Sequence, residues 1–204
     1  MHALLAALVF AGLTYNAIVW LDRGAAVRDG RLAVLRAECL RIALSAAAAL
    51  VGGILVVHRA PFETLPALAI VCAALGATCY LATFRLPVSA VVPGTALAVV
   101  VAAALLAGDY GAAVSAAAVG APFAVTAVFT RTQAPDMRDA AVAALGGAAF
   151  GLQLGLELAG LACLATLSVR FFTLHARPAP ASARFSAALA ATFLAVLLAK
   201  VAIS

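Results

Sequence analysis

The sequence predicts an all-α integral membrane protein: a polytopic bundle of about eight transmembrane helices in a single transmembrane domain, residues 1–204. Three observations predict it. Hydrophobic residues make up 67% of the chain and charged ones 10%, against roughly 25% charged in a soluble domain. Mean hydropathy is +1.17, more apolar surface than a folded soluble core of this length hides. The apolar runs are apolar on every face, so the polarity alternation of a membrane β-barrel is absent.

The runs lie at residues 2–21, 40–57, 64–84, 88–107, 111–130, 139–153, 154–175 and 184–203. The first, "MHALLAALVFAGLTYNAIVW", lacks a basic n-region and a clear small-residue cleavage site. It is long enough to cross a bilayer, so it is expected to be a span rather than a signal peptide. The sixth and seventh runs are continuous in hydropathy but together approach two membrane thicknesses, and Gly151 and Gly155 offer a place to turn. Gly147, Gly151 and Gly155 recur at four-residue spacing, a pattern of close helix packing that is also common by chance in chains rich in alanine and glycine. No internal repeat is evident.

The positive charges set an orientation. Arg23, Arg28, Arg31, Arg36 and Arg41 fall in the first connection, Arg85 in the third, Arg131 and Arg138 in the fifth, and Arg170, Arg177 and Arg184 around the seventh. The even connections hold only Arg59, and Lys200 lies near the C-terminal end. This bias predicts odd connections in the cytoplasm and both termini outside. The later part of the first connection has Leu32, Leu35 and Cys39 between Arg31, Arg36 and Glu38, a pattern suited to lying along the cytoplasmic leaflet. "ARPAPASAR" reads as a proline-broken loop before the last run.

The net charge of +5 is explained by these topology-setting arginines, and no nucleic-acid partner is expected. Cys39, Cys72, Cys79 and Cys163 form no C-x-x-C pair, and His2, His58 and His175 are dispersed, so neither a metal site nor a cofactor is expected.

Few polar residues remain to carry chemistry. "QAPDMRDAAVAALGGAAFG", residues 133–151, places Asp136, Arg138 and Asp139 at the start of the sixth run. Asp136 after Pro135 suits a helix N-cap with Asp139 at N3, both favoured by the positive end of the helix dipole. Three apart, they would also share a helix face, the alternative of a carboxylate pair. Glu157 and Gln153 lie near the outer end of the seventh run; an ionisable residue within a span is a functional candidate, but reaching interface water near the turn is preferred for Glu157. Asn16 is expected to hydrogen-bond a neighbouring helix, with a site role as the alternative. Gly108, Asp109 and Tyr110 read as an outer-face turn.

Four stretches together resemble the type IV prepilin peptidases, membrane aspartyl proteases of the GxGD type. "YLATFRLPVSAVVPGTALAVV", residues 80–100, is similar to the family signature Asp-Leu-x-Thr-x-x-Leu-Pro: Leu81, Thr83, Leu86 and Pro87 match, Arg85 stands at an open position, and the first catalytic aspartate falls on Tyr80. Asp139 followed by Gly147 and Gly151 has the spacing of the second aspartate and its glycines, although Met137 and Arg138 stand where the family has Gly-x-Gly, and Ala141 where it has lysine. "GLTYNAIVW" is similar to the family's first helix, with Gly12 and Asn16 in register, and the end of the chain resembles its last loop and helix. The cysteine-rich insert that many bacterial members carry after helix one has no counterpart.

The resemblance implies a multi-pass protein of the bacterial inner membrane, associated with type IV pilus or type II secretion systems. It implies two carboxylates at the cytoplasmic side, one activating water and the other donating to the scissile carbonyl. Asp139 would be the surviving member, with Asp136 as a further candidate, and Tyr80 marks the missing one. A phenol with an unperturbed pKa of about 10 cannot replace a carboxylate there. The expected function is therefore a pseudopeptidase, or a member with altered chemistry, that binds a pilin-like signal helix or other membrane subunits within the lipid bilayer. The alternatives are a structural subunit of a larger membrane complex and a small transporter. The transporter lacks the broken-helix pairs expected at a midplane site.

Overall fold

A computed structural model describes residues 2–22, 31–58, 65–83, 91–130, 136–172, 188–196 and 199. Every regular element among them is helical. The order is α1 (His2–Asp22), α2 (Arg31–Val57), α3 (Leu65–Thr83), α4 (Val91–Leu106), α5 (Tyr110–Thr130), α6 (Met137–Phe150) and α7 (Leu152–Phe172), followed by a helical stretch over 188–196, here α8. Helices are the expected answer in lipid, because they satisfy their backbone hydrogen bonds internally. Three stretches, His2–Asp22, Val34–Val57 and Tyr110–Phe129, are long and apolar enough to cross a membrane. Leu65–Leu81, Val91–Leu106 and Leu152–Leu164 are shorter apolar helices. Large apolar side chains face outward along the bundle, among them Leu8, Leu50, Trp20, Val114, Phe129 and Leu164. The protein is a helical membrane protein whose outer surface suits lipid.

The boundaries follow the apolar runs, with one addition. The stretch expected to lie along a leaflet is instead the first part of α2, which runs unbroken for 27 residues from Arg31. Arg31, Arg36, Glu38 and Arg41 are thus on a helix, and its apolar part begins at Val34. The proline-rich loop 176–184 and residues Arg85, Leu86, Pro87 and Arg131 lie outside the described residues.

Two tight features set the later helices. Gly108, at φ +79°, ends α4, and Asp109 then caps α5 by accepting from the backbone N–H of Gly111 (3.0 Å) and Ala112 (3.3 Å). Gly151, at φ +82°, separates α6 from α7. This conformation suits a residue without Cβ. The turn between the sixth and seventh runs therefore falls on the first of the two expected glycines. Gly155 lies inside α7, where an added Cβ would approach the Cα of Gly147 to 3.1 Å.

Close packing fixes how neighbours run. Gly52 of α2 lies beneath Phe10 and against the carbonyl of Ala6, while Gly53 faces Ala7 and Ala3, so α1 and α2 are antiparallel. On α5 and α6, a Cβ on Gly120 would meet Ala144, and one on Gly147 would stand 2.5 Å from the carbonyl oxygen of Ser115. α6 is the hub of the C-terminal half, touching α3, α4, α5 and α7. Phe193 of α8 covers Gly146 and stacks on Phe150, with ring centroids 5.6 Å apart. With no hydrophobic force between helices in lipid, this close approach is what dispersion and packing require.

The glycines should separate by environment. Gly147→Ala places a methyl against backbone and is expected to destabilise by about 1–3 kcal/mol. Gly160 has nothing within 4 Å of an added Cβ. Gly160→Ala is expected to leave stability unchanged or raise it by up to about 1 kcal/mol, through helix propensity. Thermal unfolding of both variants in one detergent measures the contrast.

Candidate functional site

Two polar clusters stand out in this apolar bundle, one around Tyr80 at the end of α3 and one around Asp139 at the start of α6. α3 and α6 touch each other.

Tyr80 is fully buried near the last turn of α3. Its hydroxyl donates to Asp22 Oδ2 (3.2 Å), at the end of α1, and accepts from Arg41 Nε (3.0 Å), on α2. The Arg41 guanidinium also lies over the phenol ring, 5.4 Å from its centroid, a cation–π arrangement. Arg41 is ion-paired with both Asp22 and Glu38. The side chains of Arg41 and Asp22 are 13% and 11% exposed, whereas Glu38 is 41% exposed. The inner pair is thus shielded from water and the outer carboxylate is not. Tyr80 joins three helices: its ring is apolar enough to enter the core, and its hydroxyl satisfies the ion pair that the core would otherwise strand.

The second cluster is a capping box. Asp136 is the N-cap of α6, and its Oδ1 accepts from the backbone N–H of Arg138 (3.0 Å) and Asp139 (3.1 Å). Asp139 returns the bond, Oδ2 accepting from the N–H of Asp136 at 2.9 Å. Arg138 pairs with Asp136. The expected capping geometry is present, and each carboxylate is used on the other residue's backbone. Asp139 is nonetheless fully buried. The Gly120–Ala144 contact sets Asp139 level with about residue 125 of α5, so α5 runs on for about 8 Å beyond it. Cys163 of α7 lies within electrostatic reach of Asp139. The carboxylate is recessed into the bundle rather than standing at its rim, which makes it expensive unless its oxygens are hydrogen-bonded.

The other candidates resolve simply. Asn16 donates to the carbonyl of Gly12 on its own helix (2.7 Å) from an exposed position, so it does not join a neighbouring helix as expected. In α-helical geometry an amide four residues on reaches that carbonyl without crossing to another element. Gly12 has open space beside it. Gln153 donates to Glu157 (3.1 Å) on an exposed face of α7, one turn from the Gly151 break. Among the described residues no group of three or more His, Cys, Asp or Glu side chains could hold a metal ion, and the described cysteines form no disulfide.

Sequence reasoning missed Asp22, Glu38 and the real partner role of Arg41, which had been assigned to topology. Asp22 is legible as an acid just before the arginines at the end of the first span, but its contact with residue 80 lies across three helices. No family model matches this chain, and no curated protein or solved structure is significantly similar to it. Its class is set by fold and composition: a polytopic α-helical membrane protein with a buried acid–base–phenol cluster.

The Tyr80 cluster makes a stability prediction. Asp22→Asn leaves Arg41 without its shielded carboxylate and is expected to cost roughly 3–5 kcal/mol. Tyr80→Phe, which removes only the hydroxyl, is expected to cost about 1–3 kcal/mol. Glu38→Gln, at the exposed end, is expected to cost under about 1 kcal/mol. Equilibrium unfolding in detergent ranks the three.

Proposed function

We propose that this protein is a divergent member of the prepilin peptidase family that has lost peptidase chemistry and acts as a binding pseudopeptidase in the inner membrane. The observation that carries the reading is the identity and setting of residue 80. At the signature position of the first catalytic aspartate stands a buried tyrosine whose hydroxyl is already engaged by Asp22 and Arg41. Asp139, at the second position, is a buried carboxylate heading α6. Tyr80 lies near the end of α3 and Asp139 near the start of α6, on two helices that touch, and this placement supports the reading.

The chemistry follows from the side chains. Aspartyl proteolysis needs two carboxyl groups that share a proton, so that one takes a proton from water while the other donates to the carbonyl. Tyr80 supplies a hydrogen-bond donor, not a second carboxyl. A chain so equipped can hold an apolar signal helix against its own spans and not cut it. Residues Leu86 and Pro87, which complete the signature, belong to the same reading on sequence alone. A structural subunit of a larger membrane complex remains the second reading, supported by the small-residue faces that pack α5, α6 and α7 so closely.

Purified protein in detergent is expected not to cleave a prepilin peptide, but to bind it through its apolar signal helix, measured by crosslinking and by product analysis. Tyr80→Asp tests the register: gain of cleavage that is lost again with Asp139→Ala supports it. Robust cleavage by the unaltered chain, abolished by Asp139→Ala, overturns the loss of chemistry.

A further inference from the structure

Glu157 stands at an unusual depth. An added Cβ on Gly155 would lie 3.1 Å from both the Cα of Gly147 and the Cγ2 of Val119. Gly155 is therefore level with Val119, near the middle of α5. Glu157 is two residues further along α7, no more than about 3 Å from that level. The stretch Tyr110–Phe129 of α5 is long and apolar enough to cross a membrane. About 15 Å of it thus extends to either side of Glu157, half the thickness of a hydrocarbon core in each direction. The interface water expected to solvate this carboxylate is out of its reach.

Nor does the bundle itself satisfy it. Glu157 is exposed, and among the described residues its one hydrogen-bond partner is Gln153, with no ion pair. An ionised carboxylate facing lipid at mid-depth is costly and calls for a group of opposite charge. The surface around it suits a helix. Gln153, Glu157, Gly160 and Leu164 are all exposed and recur at i, i+4, i+7 and i+11, which makes one stripe along α7. Exposed Leu156 and Leu161 flank the stripe. Nothing lies within 4 Å of a Cβ added to Gly160, so a second backbone can come close one turn from the carboxylate. A second copy of the chain is a poor source of the cation. Among the described residues Arg41 and Arg138 are largely buried in ion pairs, and Arg36 stands near the start of α2, away from mid-depth.

We propose that this face of α7 docks a transmembrane helix of another membrane protein, one that carries a lysine or arginine at mid-depth. The cation pairs with Glu157, Gln153 holds the carboxylate in place, and Gly160 admits the partner's backbone. The leucines supply contact area, and the charge selects the partner among apolar helices. The docking face is independent of the chemistry at Tyr80 and Asp139.

The test uses the full chain in dioleoylphosphatidylcholine vesicles with synthetic leucine–alanine transmembrane peptides of about 20 residues. One peptide carries a single lysine at its centre, one carries it near an end, and one has none. Association is read by energy transfer between labelled chain and labelled peptide. The central-lysine peptide should associate about tenfold or more tightly than the lysine-free one, the yield of one close charge pair. The end-lysine peptide should behave like the lysine-free one. Glu157→Gln should bring the preference close to one, and Gly160→Leu should weaken association of the central-lysine peptide, while thermal unfolding of both variants stays unchanged. Equal association of the central-lysine and lysine-free peptides with the unaltered chain overturns the proposal, as does a preference that survives Glu157→Gln. Equal association of the end-lysine and central-lysine peptides overturns the depth assignment, and undiminished association in Gly160→Leu overturns the docking face. Self-association of the chain that excludes every peptide and is lost in Glu157→Gln assigns the face to a second copy and overturns the proposal.

Discussion

The bundle depends on backbones approaching within a side chain's width. Gly147 sits where a methyl would press on the carbonyl oxygen of Ser115, and Gly120 sits where one would meet Ala144. In lipid no hydrophobic force drives helices together, so contact area at short range must do so. α6 makes most use of this. It is only 14 residues long, yet it touches α3, α4, α5, α7 and α8, and nearly all of its later residues are buried. A longer side chain along its face would push apart α5, α6 and α7 together.

That constraint explains why polar residues are so few and so fully engaged. The first N–H groups of a short central helix have no partner within it and must be capped. Asp136 and Asp139 cap it reciprocally, and the second is thereby drawn into the core. At the end of α3 the same logic holds in a different form. Arg41 and Asp22 would be costly as a shielded pair, and the phenol of Tyr80 bonds both. Each cluster answers the demands of its own surroundings and leaves its members at positions that matter for the proposed kinship.

A carboxylate placed at position 80 would face Asp22 across the guanidinium of Arg41. The tyrosine instead takes a donor and an acceptor role at once. A tyrosine at this position is therefore compatible with a stable three-helix junction, its hydroxyl used to hold helices together.

By itself the sequence determined the class of the fold and most of its helix limits. Apolar runs of membrane length leave the backbone one economical solution, and Gly108, Asp109, Asp136 and Gly151 punctuate them through local geometry alone. The capping of α6 was legible for the same reason, since N-cap and N3 are three residues apart. Only the tertiary structure decided that Asp22 and Arg41 meet Tyr80, that Asp139 is fully buried within electrostatic reach of Cys163, and that Asn16 turns back on its own helix. Those outcomes depend on the rotation of each helix about its axis and on the register between neighbours. In runs apolar on every face, no polarity stripe announces either; the positions of glycine and alanine against the partner helix decide both.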